Sequence, residues 1–239
     1  MNAACIGRFF TGGIALVVAT ATSTLVAQQP FHVAALTTGA SMMSVDAINV
    51  QLANAQFAGL SNDGVSYGAS TYLAFGRAML GADIGVSRFG EEGLNNGRSD
   101  KLDARQFLGT VSFAIVSERH LSVFPTLGVG VGSFDVTLSD RGATSTARAG
   151  TPTFAEVAAN PGRSATIAGS HLLYSVGGGL DYLVTRGSGD VGIVLGLRAG
   201  VLLAPNRTTW SCAGYDVVAG PDASSQGPFL RFVVGVGGR

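Results

Sequence analysis

The chain has 239 residues, enough for one domain with a sizeable core, and nothing along it reads as an interdomain linker. It is 46% hydrophobic and only 13% charged, with 35 glycines, which makes it too apolar for a disordered protein and too rich in glycine for a helical one. The 15 Lys and Arg balance 15 Asp and Glu, so there is no basic footprint for nucleic acid.

Met1 to Ala27 carries one basic residue, Arg8, then the apolar run Ile14-Ala-Leu-Val-Val-Ala and a small-residue region ending Leu25-Val26-Ala27. That is the layout of a secretory signal peptide over residues 1–27, which leaves 28–239 as one domain. Cys5 falls in the leader and Cys212 then stands alone, so no intramolecular disulfide is expected.

Beyond the leader, no uncharged stretch approaches the roughly 20 residues of a membrane-spanning helix. What recurs is period-two alternation, which places one set of side chains on each face of a strand. The first strand is expected over Val45 to Phe57, with His32 ahead of it. Val65 to Phe75 follows, with Ser66, Gly68 and Ser70 on its second face, then Leu80 to Val86, with Gly81, Asp83 and Gly85 opposite. Phe107 to Ile115 sets its apolar residues against Thr110, Ser112 and Ala114, and Leu121 to Val131 against Ser122, Thr126, Gly128 and Gly130. Leu172 to Tyr182 alternates with Ser175, Gly177, Gly179 and Asp181; Asp190 to Ala204 sets Gly192, Gly196, Arg198 and Gly200 against apolar odd positions. Leu230 to Val236 closes the series, with Arg231, Val233 and Gly235 on the second face, for about eight strands.

A soluble sandwich turns Lys, Glu and Thr to water, whereas the non-apolar face here is Gly, Ser and Ala with isolated charges. Small residues suit the inside of a narrow barrel, with the apolar faces turned outward to lipid. The connections alternate in length. Gly76 to Ala78, Ser117 to His120 and Thr185 to Gly189 are short; Gly59 to Gly64, Gly90 to Asp103, Leu138 to Gly169 and Asn206 to Gly227 are longer and polar. With an even strand count, both chain ends lie on the periplasmic side and the longer loops outside.

These amphipathic strands, the turn and loop rhythm and the closing segment Leu230-Arg-Phe-Val-Val-Gly-Val-Gly-Gly together resemble the small OmpA-type and OmpX-type outer-membrane β-barrels, over nearly all of 28–239. The resemblance implies an all-β, transmembrane, antiparallel up-and-down β-barrel of the bacterial outer membrane. Its expected partners are outer-membrane lipid, lipopolysaccharide and the barrel-insertion machinery, with no nucleic acid.

Asp83, Asp181, Arg198 and Arg231 lie on the small-residue faces, so they are expected to form a polar network in the lumen, as in the small barrels the chain resembles. Asp181 lies nearer its short turn than Arg198 does, which argues against direct contact between them. His32, His120 and His171 are scattered and show no metal-ligand spacing. His120 and Ser122 share a strand face at the periplasmic end with no carboxylate placed to orient the imidazole, so no catalytic centre is expected. Gly128-Val-Gly130-Val-Gly132 and Gly177 to Gly179 lie inside strands and make no dinucleotide fingerprint, so no cofactor is expected. Arg141, Arg148, Arg163, Trp210 and Tyr215 are candidate surface-loop contacts for an external partner. The expected role is structural or surface-interacting; a narrow pore or transporter for ions or small solutes is the alternative, and a lipid-modifying barrel enzyme a third.

Overall fold

The computed structural model describes residues 31–95, 97–118, 120–143, 151–185 and 191–238, with backbone alone at 90–95 and 185. The expected signal peptide, Arg148 and most of the turn Thr185 to Gly189 lie outside the described residues. In chain order the elements are β1 (Phe31–Met42), α1 (Asp46–Asn54), β2 (Asp63–Phe75), β3 (Ala78–Asn95), β4 (Arg98–Phe113), β5 (Val116–Ser117) and β6 (Leu121–Asp140). They continue with α2 (Phe154–Ala159), β7 (Ser164–Thr185), β8 (Val191–Leu203), β9 (Thr209–Cys212), β10 (Tyr215–Asp216) and β11 (Gly227–Gly238).

The eight long strands pair antiparallel in the order β1-β2-β3-β4-β6-β7-β8-β11. The barrel closes where β11 returns to β1, with Ala34 opposite Val236 and Thr38 opposite Phe232. At the turn between β2 and β3, Gly76 takes φ 64°, the positive-φ position a tight hairpin requires. Closure pairs each of these eight strands on both sides, which suits strands this apolar.

The number of strands matches the expectation but the first one is displaced. Val45 to Phe57 does not form a strand; Asp46–Asn54 is helix α1, and the first strand is Phe31–Met42, which includes His32. Ile48, Val50 and Leu52 satisfy a two-residue alternation, which is why a strand reads well there. The structure separates the two periods: Val45, Ile48 and Leu52 are fully buried while Val50 is 60% exposed, as the 3.6-residue period demands.

The loop rhythm also takes a different form at two places. Gly90 to Asp103 is not a loop, because β3 runs to Asn95 and β4 restarts at Arg98, with Gly97 at φ 82° in the turn. The expected loop Leu138 to Gly169 shrinks likewise, since β6 reaches Asp140 and β7 begins at Ser164. β3, β4, β6 and β7 have 18, 16, 20 and 22 residues against 12 or 13 for β1, β2, β8 and β11, so one flank of the barrel stands taller.

The pattern of faces explains the two heights. Around the whole barrel the outward side chains form an apolar belt, among them Leu36, Leu73, Ile84, Val111, Leu127, Val176, Leu195 and Phe232, all exposed. On the tall flank the pattern inverts above the belt. Outward positions become Arg88, Lys101, Asp103, Arg105, Ser133, Asp135, Thr137, Ser164 and Thr166, while the inward ones become Phe89, Leu102, Phe134, Val136, Leu138 and Ile167, all buried. Apolar residues face out within the belt and in above it. The upper interior is therefore an ordinary protein core, shared with α1, α2, Trp210, Cys212 and Val217.

Candidate functional site

The lumen is filled in tiers. At the end with the short turns, Val33, Ala35, Val194 and Val233 pack with Phe31 and Leu183, and Met79, Ala114 and Phe124 pack with Ala74. Further up, Leu108, Leu173 and Leu202 pack with Ala204 and Phe229. Between these apolar tiers lies the polar one, where Asp83, Arg198 and Arg231 line a cavity of about 50 Å³ with Thr37, Ser70 and Thr110. That volume holds only a few waters.

Asp181 and Arg198 are in direct contact, contrary to the expectation from their heights along β7 and β8. Arg198 Nη1 donates to Asp181 Oδ1 at 2.6 Å and Nη2 to Asp181 Oδ2 at 2.8 Å, a bidentate pair. The strand register supplies the reason: Asp181 is opposite Gly196 and Arg198 opposite Gly179, so the two are diagonal neighbours on one face. A Cβ at Gly196 would strike the Asp181 carboxylate, and one at Gly179 would lie 2.8 Å from Arg198 Cδ. Both glycines leave room for the pair.

Tyr72 completes the arrangement, its hydroxyl donating to Asp181 Oδ2 at 2.8 Å across the barrel. It continues the small inward face Ser66, Gly68, Ser70 of β2, and a lone aromatic on such a face is the sequence signal that would have found it. Arg198 also lies over the Phe124 ring, 4.8 Å from its centroid, and Arg231 over Phe229 at 4.7 Å. Arg231 Nε and Nη2 make no hydrogen bond among the described residues although the residue is 7% exposed, and Asp83 shares its cavity. Of the four lumen residues, then, Asp181 and Arg198 form a direct pair, and Asp83 and Arg231 face the small chamber that Arg198 also lines.

The candidate loop contacts fall into separate environments. Arg141, Arg163 and Tyr215 are not buried, and Tyr215 is 63% exposed. Trp210 is not a surface contact: it is buried, packed edge-on against Phe134 and Phe154 at 5.1 Å each, with Nε1 donating to Pro221 O at 3.0 Å. An aromatic of this size is retained by the apolar tall-flank core that only the extended strands create.

A further organising residue of this end is Arg98. Its guanidinium reaches the backbone carbonyls of Ala55, which caps α1, and of Ala159, the last residue of α2, and its Nε donates to Asp140 Oδ2 at 2.9 Å. Positive charge at two helix C-termini is favourable and satisfies otherwise orphaned carbonyls. At its other end, α2 opens with a capping box, Thr153 N–H donating to Glu156 Oε2 at 2.8 Å and Glu156 N–H to Thr153 Oγ1 at 3.2 Å. The Thr153 amide holds the Glu156 carboxyl below its ordinary range.

The three histidines lie far apart in role. His32 is outward on β1, His120 pairs through Nδ1 with Leu183 O at 3.0 Å, and buried His171 accepts at Nε2 from Ser225 N–H at 3.3 Å. Ser122 lies opposite Asp181 in the register, but that carboxylate is held by Arg198 and Tyr72 rather than by an imidazole. Among the described residues, no three His, Cys, Asp or Glu side chains are grouped to hold a metal ion.

No family model and no curated protein matches the chain. Among solved structures, it is similar to the Neisserial surface protein A at 13% identity and a TM-score of 0.44, covering 87% of this chain and 96% of that one. A major outer membrane protein from Thermus thermophilus gives the same identity of 13% and TM-score of 0.44, covering 87% of this chain and 98% of that one. The translocator domain of the autotransporter NalP from Neisseria meningitidis follows at 11% identity and a TM-score of 0.34, covering 90% of each chain.

Proposed function

We propose that the protein is a bacterial outer-membrane β-barrel of the small OmpA or OmpX kind, with a structural or surface-interaction role and no catalytic centre. The observation that carries this reading is the belt: large apolar side chains stay exposed on the outward face of every barrel strand of a closed barrel. Water is a poor solvent for so continuous an apolar surface, and lipid is a good one. The 13-residue β8, apolar at every outward position from Val191 to Leu203, exceeds the about 9–11 residues a tilted strand needs to cross a bilayer. The short turns and chain ends then face the periplasm, and the α1 and α2 end faces outward.

The tiered interior favours a closed barrel over the narrow-pore alternative. Apolar side chains fill the lumen on both sides of the charged tier, and the loop-end core covers it. Lipopolysaccharide and the insertion machinery are the partners this placement implies, and Arg141, Arg163 and Tyr215 are available to an external one.

Cell fractionation with heat-modifiable migration in detergent gels tests the placement. The expected result is recovery with the outer membrane and a band that shifts on boiling; clean recovery in the soluble periplasm overturns it. Planar bilayers are expected to show no discrete conductance for wild type, and steady channels altered by Arg198 substitution would establish the pore instead.

A further inference from the structure

The chain that leads into β11 does not run around the rim of the barrel but across its mouth. Ala223, Ser224 and Ser225 are buried there. Ser225 lines a small cavity together with Ser41 from β1, Phe89 from β3, Gln106 from β4 and Leu202 from β8. β3 and β8 stand on opposite sides of the barrel, so the segment reaches its middle. Leu202 also belongs to the tier with Leu108 and Leu173 that fills the lumen beneath.

Three side chains from one side hold this segment. Trp210 Nε1 donates to Pro221 O at 3.0 Å, Thr208 Oγ1 donates to Ala223 O, and His171 Nε2 accepts from the Ser225 N–H at 3.3 Å. The first two bonds are the same at any ordinary pH, whereas the third depends on the charge of the imidazole. A neutral ring that accepts at Nε2 carries its proton on Nδ1, which is buried and makes no hydrogen bond among the described residues. A second proton has only Nε2 to occupy, where it meets the Ser225 N–H as donor against donor. Packing fixes the ring in that position: a Cβ at Gly132 would lie 2.6 Å from Nε2, and the Phe134 ring centroid is 5.7 Å away.

The charged groups on the surrounding elements stand at other levels. Gly132 is opposite both His171 and Gln106, and from that row Asp100 on β4 is three inward positions up and Asp140 on β6, bound to Arg98, four. Asp83 on β3, Asp181 on β7, Arg198 on β8 and Arg231 on β11 lie below in the charged tier. Asp46 of α1, Glu156 of α2 and Asp222 of the segment itself are exposed, and β1 carries no inward charge.

We propose that residues 221–226 form a strap over the loop-end mouth of the lumen, latched by neutral His171 and released by acid. On release, Ser224 to Gln226 lift away between two fixed points, Ala223 and the start of β11 at Gly227, and the cavity lined by Ser225 and Gln106 opens to the medium. The tier of Leu108, Leu173 and Leu202 stays in place, so the barrel remains shut. The inference rests on the membrane placement above only for the compartment whose acidity is sensed, which is the exterior. A released imidazole takes up its proton near pH ~6.5, and the latched one has no place for it. The ratio of latched to released strap is therefore constant above that pH and falls about tenfold for each unit below it.

Hydrogen exchange followed by mass spectrometry on the full chain in detergent micelles, corrected for the intrinsic rate at each pH, tests the latch. Between about pH 7.5 and about pH 5.0, protection of the amides at 224–226 is expected to fall roughly thirtyfold in wild type, while those of β11 keep theirs. His171→Gln does not titrate and is expected to abolish the pH dependence; His171→Phe has no acceptor and is expected to leave the strap unprotected at both pH values. A merely structural histidine would not give the first variant a flat profile. Wild-type protection that changes less than about threefold overturns the proposal, as does a His171→Gln variant that keeps the full fall, or a loss shared equally by β11. Heat-modifiable migration reports whether each variant folds. If neither does, the wild-type profile decides: a fall that begins near pH ~6.5 supports the latch, and one that begins only below about pH 5 assigns it to a carboxylate and overturns it. A strap that responds in this way in a protein recovered from the soluble periplasm overturns the membrane placement alone, so the two failures are distinguishable.

Discussion

Replacing Arg198 by Met tests whether the lumen is sealed. The substitution keeps most of the side chain's length and its contact with Phe124 but removes both bonds to Asp181, whose side chain is only 6% exposed. Tyr72 still donates one hydrogen bond, and among the described residues no second ion pair reaches that carboxylate. Breaking a buried pair by removing one partner costs about 3–5 kcal/mol, so a loss of about 3 kcal/mol is expected once the remaining Tyr72 bond is credited. Replacing both partners, with Asp181→Leu added, leaves no stranded charge and is expected to recover about 2 kcal/mol or more of that loss. Urea unfolding in micelles, followed by the loss of the heat-resistant band, measures all four corners of the cycle. Single variants that each cost under about 1 kcal/mol, with no coupling, would mean the charges are solvated like a surface pair, and the sealed interior would be refuted.

Other consequences follow at the loop end and in the barrel wall. Arg98→Ala is expected to cost about 2 kcal/mol by freeing the carbonyls at both helix C-termini. It should red-shift Trp210 emission and speed proteolysis around α2 while the heat-resistant barrel band persists; Trp210 is the sole tryptophan, so the reading is unambiguous. Gly196→Ala is expected to destabilise the barrel by about 2 kcal/mol, because its methyl group meets the Asp181 carboxylate. At Gly109 a Cβ lies 3.7 Å from Val129 O, so Gly109→Ala should fall within about 0.5 kcal/mol of wild type in the same urea assay. The Glu156 carboxyl is held below its ordinary value of 4.5 by the Thr153 amide, so its contribution to α2 is complete above that value and is lost as pH falls through the lower folded value. Trp210 emission should report this acid transition, and it should shrink in Glu156→Gln; an unchanged transition would remove the capping box as its cause.

Most of the architecture was legible because a barrel wall imposes a strict local rule. Leu195 and Leu197 face out, Gly196 and Arg198 face in, and no distant residue is needed to read that alternation. The rule also places Asp83, Asp181, Arg198 and Arg231 inside without any knowledge of their partners. It fails where a residue satisfies two periods, as at Ile48, Val50 and Leu52. It is silent where the belt ends and the faces exchange roles, as at Phe134 and Val136, which read as loop approach rather than as inward core. Gly97, at φ 82°, marks the turn inside Gly90 to Asp103, a stretch whose polar composition reads as loop.

Alternation by itself determined an antiparallel barrel with small and charged residues inside, because side-chain direction in a strand depends only on the parity of position. Pairing depended on register, which long-range closure sets: it made Asp181 and Arg198 diagonal neighbours, brought Tyr72 across from β2, and put Arg88, Asp103 and Asp135 side by side. The helix at Asp46–Asn54 and the burial of Trp210 likewise belong to the tertiary structure. Both exist because four strands outgrow the belt and enclose an apolar core, and a core takes whatever segment buries the most apolar surface against it.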